Sequence, residues 1–399
     1  MSQKWLRREG QEWVDKKIIT HEQYEKILQL YPEQYRMTSF LPIFASILVG
    51  LSLLTFVASN WDGMSQFTRF VILLITMLGF YSAGFTLYRK GHPWVGQGLL
   101  GLGIVTFGAS MILIGQMFHL IAYDARVFAI WALAGLGMLY LYRRYLFFFI
   151  TAAILFAGQV YAMISFGEAS VLIMAITLLG LGIFAWSTPH TLIGWILSML
   201  LGIQTVFLIL SNDIAWSWLS MVPIGFYTVG LLLEKRPMAK GFLVWAHTFG
   251  VIFASVMVFA QSEVRNHSDF MANPFAYMIL FLLLLILTVY KSGGEKGKLA
   301  PLVLFLPMFY LSFGDLLYLV ILFVFSLLLI YYGDQEEHRW KSKMGVILFM
   351  YSCFLGYIQL AWDFLDKSLF FLLGGLMLFV IHWLLRRRDR WMTKGGEES

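Results

Sequence analysis

Uncharged apolar runs of about 20 residues recur from one end of this chain to the other, and that recurrence limits what it can fold into. A run of that length reaches across a hydrocarbon core of roughly 30 Å as an α-helix. Inside lipid no water is at hand for backbone N–H and C=O groups, so each run must satisfy itself, which a helix does. With 59% hydrophobic and 13% charged residues and a mean hydropathy of +0.74, a soluble globular domain is excluded, since those carry about 25% charge. The spacing predicts an all-α polytopic membrane bundle of about 14 helices. They fall at 40–59, 69–88, 95–118, 126–142, 145–166, 170–187, 190–210, 214–233, 241–261, 274–290, 299–312, 315–332, 344–361 and 366–385. The weakest is 299–312, which holds Pro301 and Pro307. At about 1.5 Å per residue it covers only some 21 Å. It is expected either as a broken or thinned crossing or as a proline-kinked packing helix.

Charge tests the set as a whole. With the first residues in the cytoplasm, the inside segments hold 25 of the lysines and arginines, and the outside loops hold four, Arg69, Arg126, Arg265 and Lys367. Basic residues gather on the cytoplasmic side of membrane proteins, so both termini are predicted inside. The sequence pI of about 9.2 is thereby explained by topology, and no nucleic-acid partner is expected. Residues 1–37 are expected to form a cytoplasmic amphipathic helical hairpin, with Thr20 and Gln23 matching a capping box. That hairpin would lie on the membrane or the bundle, or dock a cytoplasmic protein partner. Residues 40–385 make the transmembrane bundle and 386–399 a basic cytoplasmic tail. The polar start predicts no cleavable signal peptide, and the single Cys353 precludes an intrachain disulfide.

Within the bundle, 95–120 carries six glycines and no charge. Gly101, Gly108 and Gly115 recur every seven residues, so they lie along one stripe where a neighbouring helix can approach closely. The run ends in Gln116-Met117-Phe118-His119, with Gln116 and His119 on one face.

Each predicted outer loop carries an acid, and tryptophans accompany several of them. Acids beside aromatic rings can bind a cation, an amine or a sugar. Interfacial tryptophans and ordinary polar loops would look the same. The candidate ligand-binding residues are Asn60, Trp61, Asp62, Gln116, His119, Asp124, Trp362 and Asp363. No second histidine stands at ligand spacing, so no metal is expected. No Walker loop, nucleophilic triad or nucleotide-binding turn is present, so no catalytic residue or cofactor is assigned. No Asp, Glu, Lys or Arg lies at mid-depth in any run; the deep polar residues are Gln159, Gln204, His247, Gln359 and His382. That weakens a proton pump or voltage sensor.

Three stretches together resemble an uncharacterised family of bacterial predicted membrane proteins, a domain of unknown function (DUF2157). They are Trp13-Val14-Asp15 through Ile19-Thr20-His21-Glu22-Gln23, then Val57-Ala58-Ser59-Asn60-Trp61-Asp62 with Arg69, and Gly108-Ala109 through Gln116-Met117-Phe118-His119. Relatives more usually have tyrosine at Phe118. The resemblance covers about residues 5–140, and Leu365-Asp366-Lys367-Ser368 with its apolar tail is similar to the C-terminal half of longer members. It implies a multi-pass protein of the bacterial cytoplasmic (inner) membrane and supplies no activity. Three functions stay open: a transporter or permease-like protein recognising a small solute from outside, a sensor or scaffold signalling through the N-terminal hairpin, and an outer-face lipid-linked glycosyl or phosphoryl transferase. The motif record argues against an enzyme without deciding it.

The charge split makes one direct prediction. Reporter fusions after Arg89, Arg144, Lys240, Lys298, Lys343 and Arg390 should all report cytoplasm. An outside signal at Lys343 or Arg390 would show that 299–312 does not cross.

Overall fold

The computed structural model describes residues 10–30, 64–119, 124–212, 214–264 and 272–361, together with isolated helical positions at 48, 52, 55, 372, 376 and 379. Every regular element among them is helical. In order these are α1 (His21–Leu30), α2 (Gln66–Arg89), α3 (Pro93–Met117), α4 (Arg126–Tyr142), α5 (Tyr145–Phe166), α6 (Val171–Ser187), α7 (Thr191–Ser211), α8 (Met221–Leu232), α9 (Ala239–Val264), α10 (Pro274–Ser292), α11 (Gly314–Gln335) and α12 (Arg339–Ala361). A π turn, Thr177–Leu181, interrupts α6, and a 3-10 turn, Trp216–Ser220, leads into α8. Seven helices, α2, α3, α5, α7, α9, α10 and α11, are long and apolar enough to cross a membrane, and three shorter apolar ones accompany them. The runs 40–59 and 366–385 lie outside the described residues apart from those isolated positions.

The chain divides into two compact units, Met1–Tyr123 with Ile130–Thr151, and Asp124–Ala129 with Ala152–Ser399. In the first, the capping box of α1 closes both ways, Thr20 N to Gln23 Oε1 at 2.9 Å and Gln23 N to Thr20 Oγ1 at 3.3 Å. Gly10 leaves room for the Tyr24 ring, which is buried. The α2–α3 hairpin is built on a spacing that sequence reading missed. Gly103 receives the Tyr81 ring and Gly96 the backbone of Tyr88, so a tyrosine repeat of seven on α2 meets a glycine repeat of seven on α3. The Gly101–Gly108–Gly115 stripe packs at only two of its members. Gly101 faces Ile150, and Gly108 receives the Trp131 ring, whose Nε1 donates to the Ile104 carbonyl at 2.7 Å. Gly115 has nothing against it. The stripe is therefore a notch for a ring and a methyl, shorter than the heptad suggested.

The second unit packs helices against one another in both senses, antiparallel and parallel. Ser211 Oγ accepts from Ala169 N at 2.8 Å and Gln204 Nε2 donates to Thr177 Oγ1 at 3.0 Å, so α6 and α7 run oppositely. Phe226 meets Phe249, and Gly230 meets Leu243, which sets α8 against α9. His247 stacks on Phe325 at 5.8 Å and Phe253 meets Tyr318 edge-on at 6.0 Å, which sets α11 antiparallel to α9. On the other side of α8, Ser220 pairs with Tyr277 and Thr228 with Thr288, so α10 runs parallel to α8 and likewise opposes α9.

Since α10 and α11 run the same way, the chain between them must return across the whole unit. It does so without a regular α-helix, as the short turn Lys296–Leu299, the 3-10 turns Ala300–Phe305 and Met308–Tyr310, and extended residues between. Proline explains the break. Pro307 cannot donate, and it pushes the preceding Leu306 to φ −65°, ψ 133°. The return begins at Lys298, whose carbonyl accepts from Tyr227 Oη at 2.7 Å, passes Gly250 at Leu304 and Phe305, and ends at Leu311, whose carbonyl accepts from Gln261 Nε2 at 2.9 Å. A 3-10 turn rises about 2.0 Å per residue, against about 1.5 Å in an α-helix, and extended chain rises faster still. So few residues can therefore span the unit.

The Gly108 notch gives a paired test. Gly108→Ala would drive a methyl into Trp131 and should destabilise by about 1–3 kcal/mol. Gly115→Ala meets open space and should be neutral or stabilising by up to about 1 kcal/mol. Thermal melting in detergent separates them, and equal melting temperatures would show that Trp131 does not fill the notch.

Candidate functional site

The residues singled out in the sequence do not assemble into one site among those described. Asn60, Trp61, Asp62, Trp362 and Asp363 lie outside the described residues. Gln116 and His119 are exposed at the end of α3, where His119, at φ 52°, donates its N–H to the Gln116 carbonyl at 3.3 Å. They terminate the helix. Nearby, Gln66 Nε2 ties the start of α2 to the Met117 carbonyl at 3.0 Å. Asp124, in the second unit, is used locally. It accepts from Arg126 N at 2.9 Å and pairs with the Arg126 guanidinium at 2.7 Å, capping α4. Among the described residues no group of three or more His, Cys, Asp or Glu could hold a metal ion.

The deep polar residues are mostly accounted for. Gln159, in the amide orientation that satisfies it, bonds both ways to the Ser170 backbone at 3.2 Å. His247 Nδ1 bonds to the carbonyl one turn back, at Leu243. Gln204 Oε1 is left without a partner. Gln359 is half-buried near the end of α12, and His382 lies outside the described residues.

What the structure does gather is an oxygen-rich, uncharged cluster where the non-helical return meets α9, α10 and α11. Tyr277 is fully buried, bonded to Ser220 Oγ at 2.7 Å, and edge-on to Phe309 at 5.5 Å and Tyr310 at 5.4 Å. Phe309 in turn meets Phe253, which meets Tyr318. Gln261, 3% exposed, spends its amide N–H on Leu311 but leaves Oε1 unpartnered. The Tyr310 hydroxyl is buried with no partner. The Tyr318 hydroxyl, turned toward the backbone of Met308 and Phe309, closes no hydrogen bond of normal geometry. Gly314, at the start of α11, leaves the space into which the Gln261 amide and the Met308 carbonyl both crowd. Buried polar atoms almost always find partners, and several orphans in one place ask for a reason. The cluster can offer acceptor oxygens, hydroxyls and aromatic faces to a small polar molecule. Sequence reading noticed the proline-broken run but passed over Gln261, Tyr310 and Tyr318. The available signal was hydroxyls and an amide at the edges of apolar runs beside the two prolines.

At the opposite end of this unit lie the basic connections. Lys298 pairs with Glu234 at 2.6 Å and Glu295 at 3.1 Å, and Lys341 with Glu336 at 3.0 Å. The hydrogen bond that Lys298 donates to Glu234, with Glu295 adding to it, holds the Lys298 pKa above its ordinary value. The pair therefore persists at neutral pH and is lost only as pH rises through that raised value. The Lys298–Glu234 bridge pins the start of the return to the α8–α9 connection, while Gln261 pins its end.

Comparison with known sequences adds a family to one part of the chain. Residues 11–148 match the family model for a predicted membrane protein, DUF2157. No curated protein and no solved structure matches the chain. The DUF2157 segment covers about a third of the sequence and ends in the first helices, ahead of the broken return.

The orphaned hydroxyl makes a prediction of sign. Tyr310→Phe removes an unpartnered buried group and should leave stability unchanged or raise it, by up to about 1–3 kcal/mol. Tyr277→Phe breaks a made hydrogen bond and should lower stability by about 0.5–1.5 kcal/mol. Melting in detergent checks both. A Tyr310→Phe protein as destabilised as Tyr277→Phe would show that the hydroxyl is already satisfied.

Proposed function

We propose that this multi-pass membrane protein recognises a small polar solute at the broken return, as a transporter or permease-like protein does. The observation that carries the reading is the unpartnered Gln261 Oε1 and Tyr310 hydroxyl beside a non-helical crossing. Irregular backbone at membrane depth is tolerated where it is buried in protein or lines a cavity, and discontinuous crossings form the binding sites of many transporters. None of the described side chains that form the cluster is charged, so it suits a neutral solute offering hydrogen-bond donors, because a buried charge would need a partner. The proposal takes the chain as about 14 crossings in a bacterial cytoplasmic membrane, with both termini inside and the cluster toward the outside. Asn60, Trp61, Asp62, Gln116, His119, Asp124, Trp362 and Asp363 remain, on this reading, outer-face candidates for ligand binding. Residues 1–37 remain the surface for a cytoplasmic partner.

Ligand stabilisation tests it. The purified protein should be melted with a panel of neutral amides, polyols and sugars, together with zwitterionic amino acids. A ligand at 100 times its Kd stabilises by about 2.7 kcal/mol. At least one neutral donor should raise the melting temperature saturably, and Gln261→Leu and Tyr310→Phe should both abolish that rise. A panel without effect, or a rise that survives in both variants, would refute recognition at this cluster.

A further inference from the structure

A groove of about 530 Å³ crosses the outward face of α8 between α7 and α10. It is lined by Ile209, Trp218, Gly225, Leu232, Leu284 and Leu287 among others, and its wall is almost wholly hydrocarbon. The two threonines that border it make no exception. Thr205 Oγ1 donates to the Leu201 carbonyl at 2.7 Å and Thr228 Oγ1 to the Ile224 carbonyl at 2.8 Å, each bonding its own helix one turn back. What fills the groove must therefore be hydrocarbon. From Trp218 to Leu232 the groove follows fourteen residues of helix, about 20 Å at some 1.5 Å per residue, which is the reach of one extended acyl chain. Gly225 forms its floor, and a Cβ added there would meet nothing within 4 Å.

Charge distinguishes one end. Lys291 stands one turn beyond Leu287 on α10, on the same helix face and exposed, and Lys235 follows three residues after Leu232. Three acids of this end are engaged elsewhere, Glu234 and Glu295 with Lys298 and Glu336 with Lys341, while Asp334 and Glu337 belong to the end of α11, an element that does not line the groove. Neither Lys235 nor Lys291 has an ion pair among the described residues. An apolar slot that opens beside uncompensated lysines fits a chain carrying a negative head. We propose that the groove is a binding site for one anionic glycerophospholipid, with an acyl chain over Gly225 and its phosphate at Lys291 and Lys235.

The test uses the full chain purified in a non-ionic detergent, with bound lipids counted by native mass spectrometry after titration with phosphatidylglycerol or phosphatidylcholine. The wild type should retain phosphatidylglycerol over phosphatidylcholine by at least about fivefold, given two lysines near the headgroup. Gly225→Leu fills the floor and should lower retention of both lipids by about tenfold at an unchanged melting temperature. Leu232→Trp, which plugs the lysine end of the groove at a half-exposed position, should do the same and stands in if Gly225→Leu folds poorly. Lys235→Gln with Lys291→Gln should equalise the two lipids while leaving phosphatidylcholine retention as it was. Retention of phosphatidylglycerol at the wild-type level in both plugged variants would overturn the site. A preference that survives loss of both lysines would overturn the headgroup assignment. A wild-type dimer that Gly225→Leu converts to monomer, with lipid retention unchanged, would assign the groove to a second copy and overturn the lipid.

Discussion

A backbone in lipid has no solvent to fall back on, and the rest of this structure follows from that constraint. Each helix meets it internally, and many hydroxyls obey it too, although Thr106, Ser110 and Ser342 are buried without a partner. Thr86, Thr151, Thr177, Ser198, Thr205, Thr228, Ser255 and Ser352 all donate to the carbonyl four residues back. A short side chain can reach its own helix in this way. A tyrosine hydroxyl or a glutamine amide lies too far from its own backbone, so it needs a partner from another element or from a ligand. This separates the silent polar groups of the bundle from Gln261 and Tyr310. It also explains why the one described return that abandons the α-helix is stitched at both ends, by Tyr227 to Lys298 and by Gln261 to Leu311.

Close packing in this chain relies on glycine notches, some filled by rings and others by backbone. Tyr24 at Gly10, Tyr81 at Gly103, Trp131 at Gly108 and Phe249 at Gly202 are of the first kind. Direct backbone approach is as frequent, at Gly84 beside Leu100, Gly96 beside Tyr88, Gly194 beside Met238, Gly241 beside Gly194, Gly333 beside Ser342 and Gly345 beside Ile330. In lipid, apolar surface gains little from leaving the acyl chains for another helix, so shape complementarity holds helices together. A ring in a notch supplies more contact than two smooth helices can. Glycines that meet nothing, Gly115 and Gly225 among them, mark faces turned away from such packing.

Charge is arranged along the axis of the second unit. Lys235, Lys240, Lys291, Lys296, Lys298, Arg339 and Lys341 all belong to connections at one end, and the uncharged aromatic cluster lies toward the other. The bridges of Lys298 and Lys341 neutralise part of that basic end; Lys298 joins the α8–α9 connection to the start of the return through Glu234, and Lys341 closes the α11–α12 connection on Glu336. The broken return thus runs from an ionic anchor to a neutral polar cluster, held at both ends and short of regular hydrogen bonds between them.

By itself the sequence determined that the chain is helical, that it belongs in a membrane, where most helices begin and end, and that Pro301 and Pro307 would disturb one of them. Those properties depend on local terms: runs of apolar residues, missing charges, and the geometry of proline. It also carried the DUF2157 pattern of its first third. The partners of each side chain were decided only by the tertiary structure. A heptad of glycines looks the same in sequence whether a ring, a methyl or nothing stands opposite, so Gly115 was grouped with Gly108. Tyr81 and Tyr88 gave no sign that Gly103 and Gly96 awaited them. Nor could Gln261 be told from Gln159, since both are amides in apolar runs. One reaches the Ser170 backbone and is satisfied, while the other reaches Leu311 with its N–H and leaves its oxygen free. Satisfaction of a buried polar atom depends on groups distant in sequence, and only their placement in space decides it.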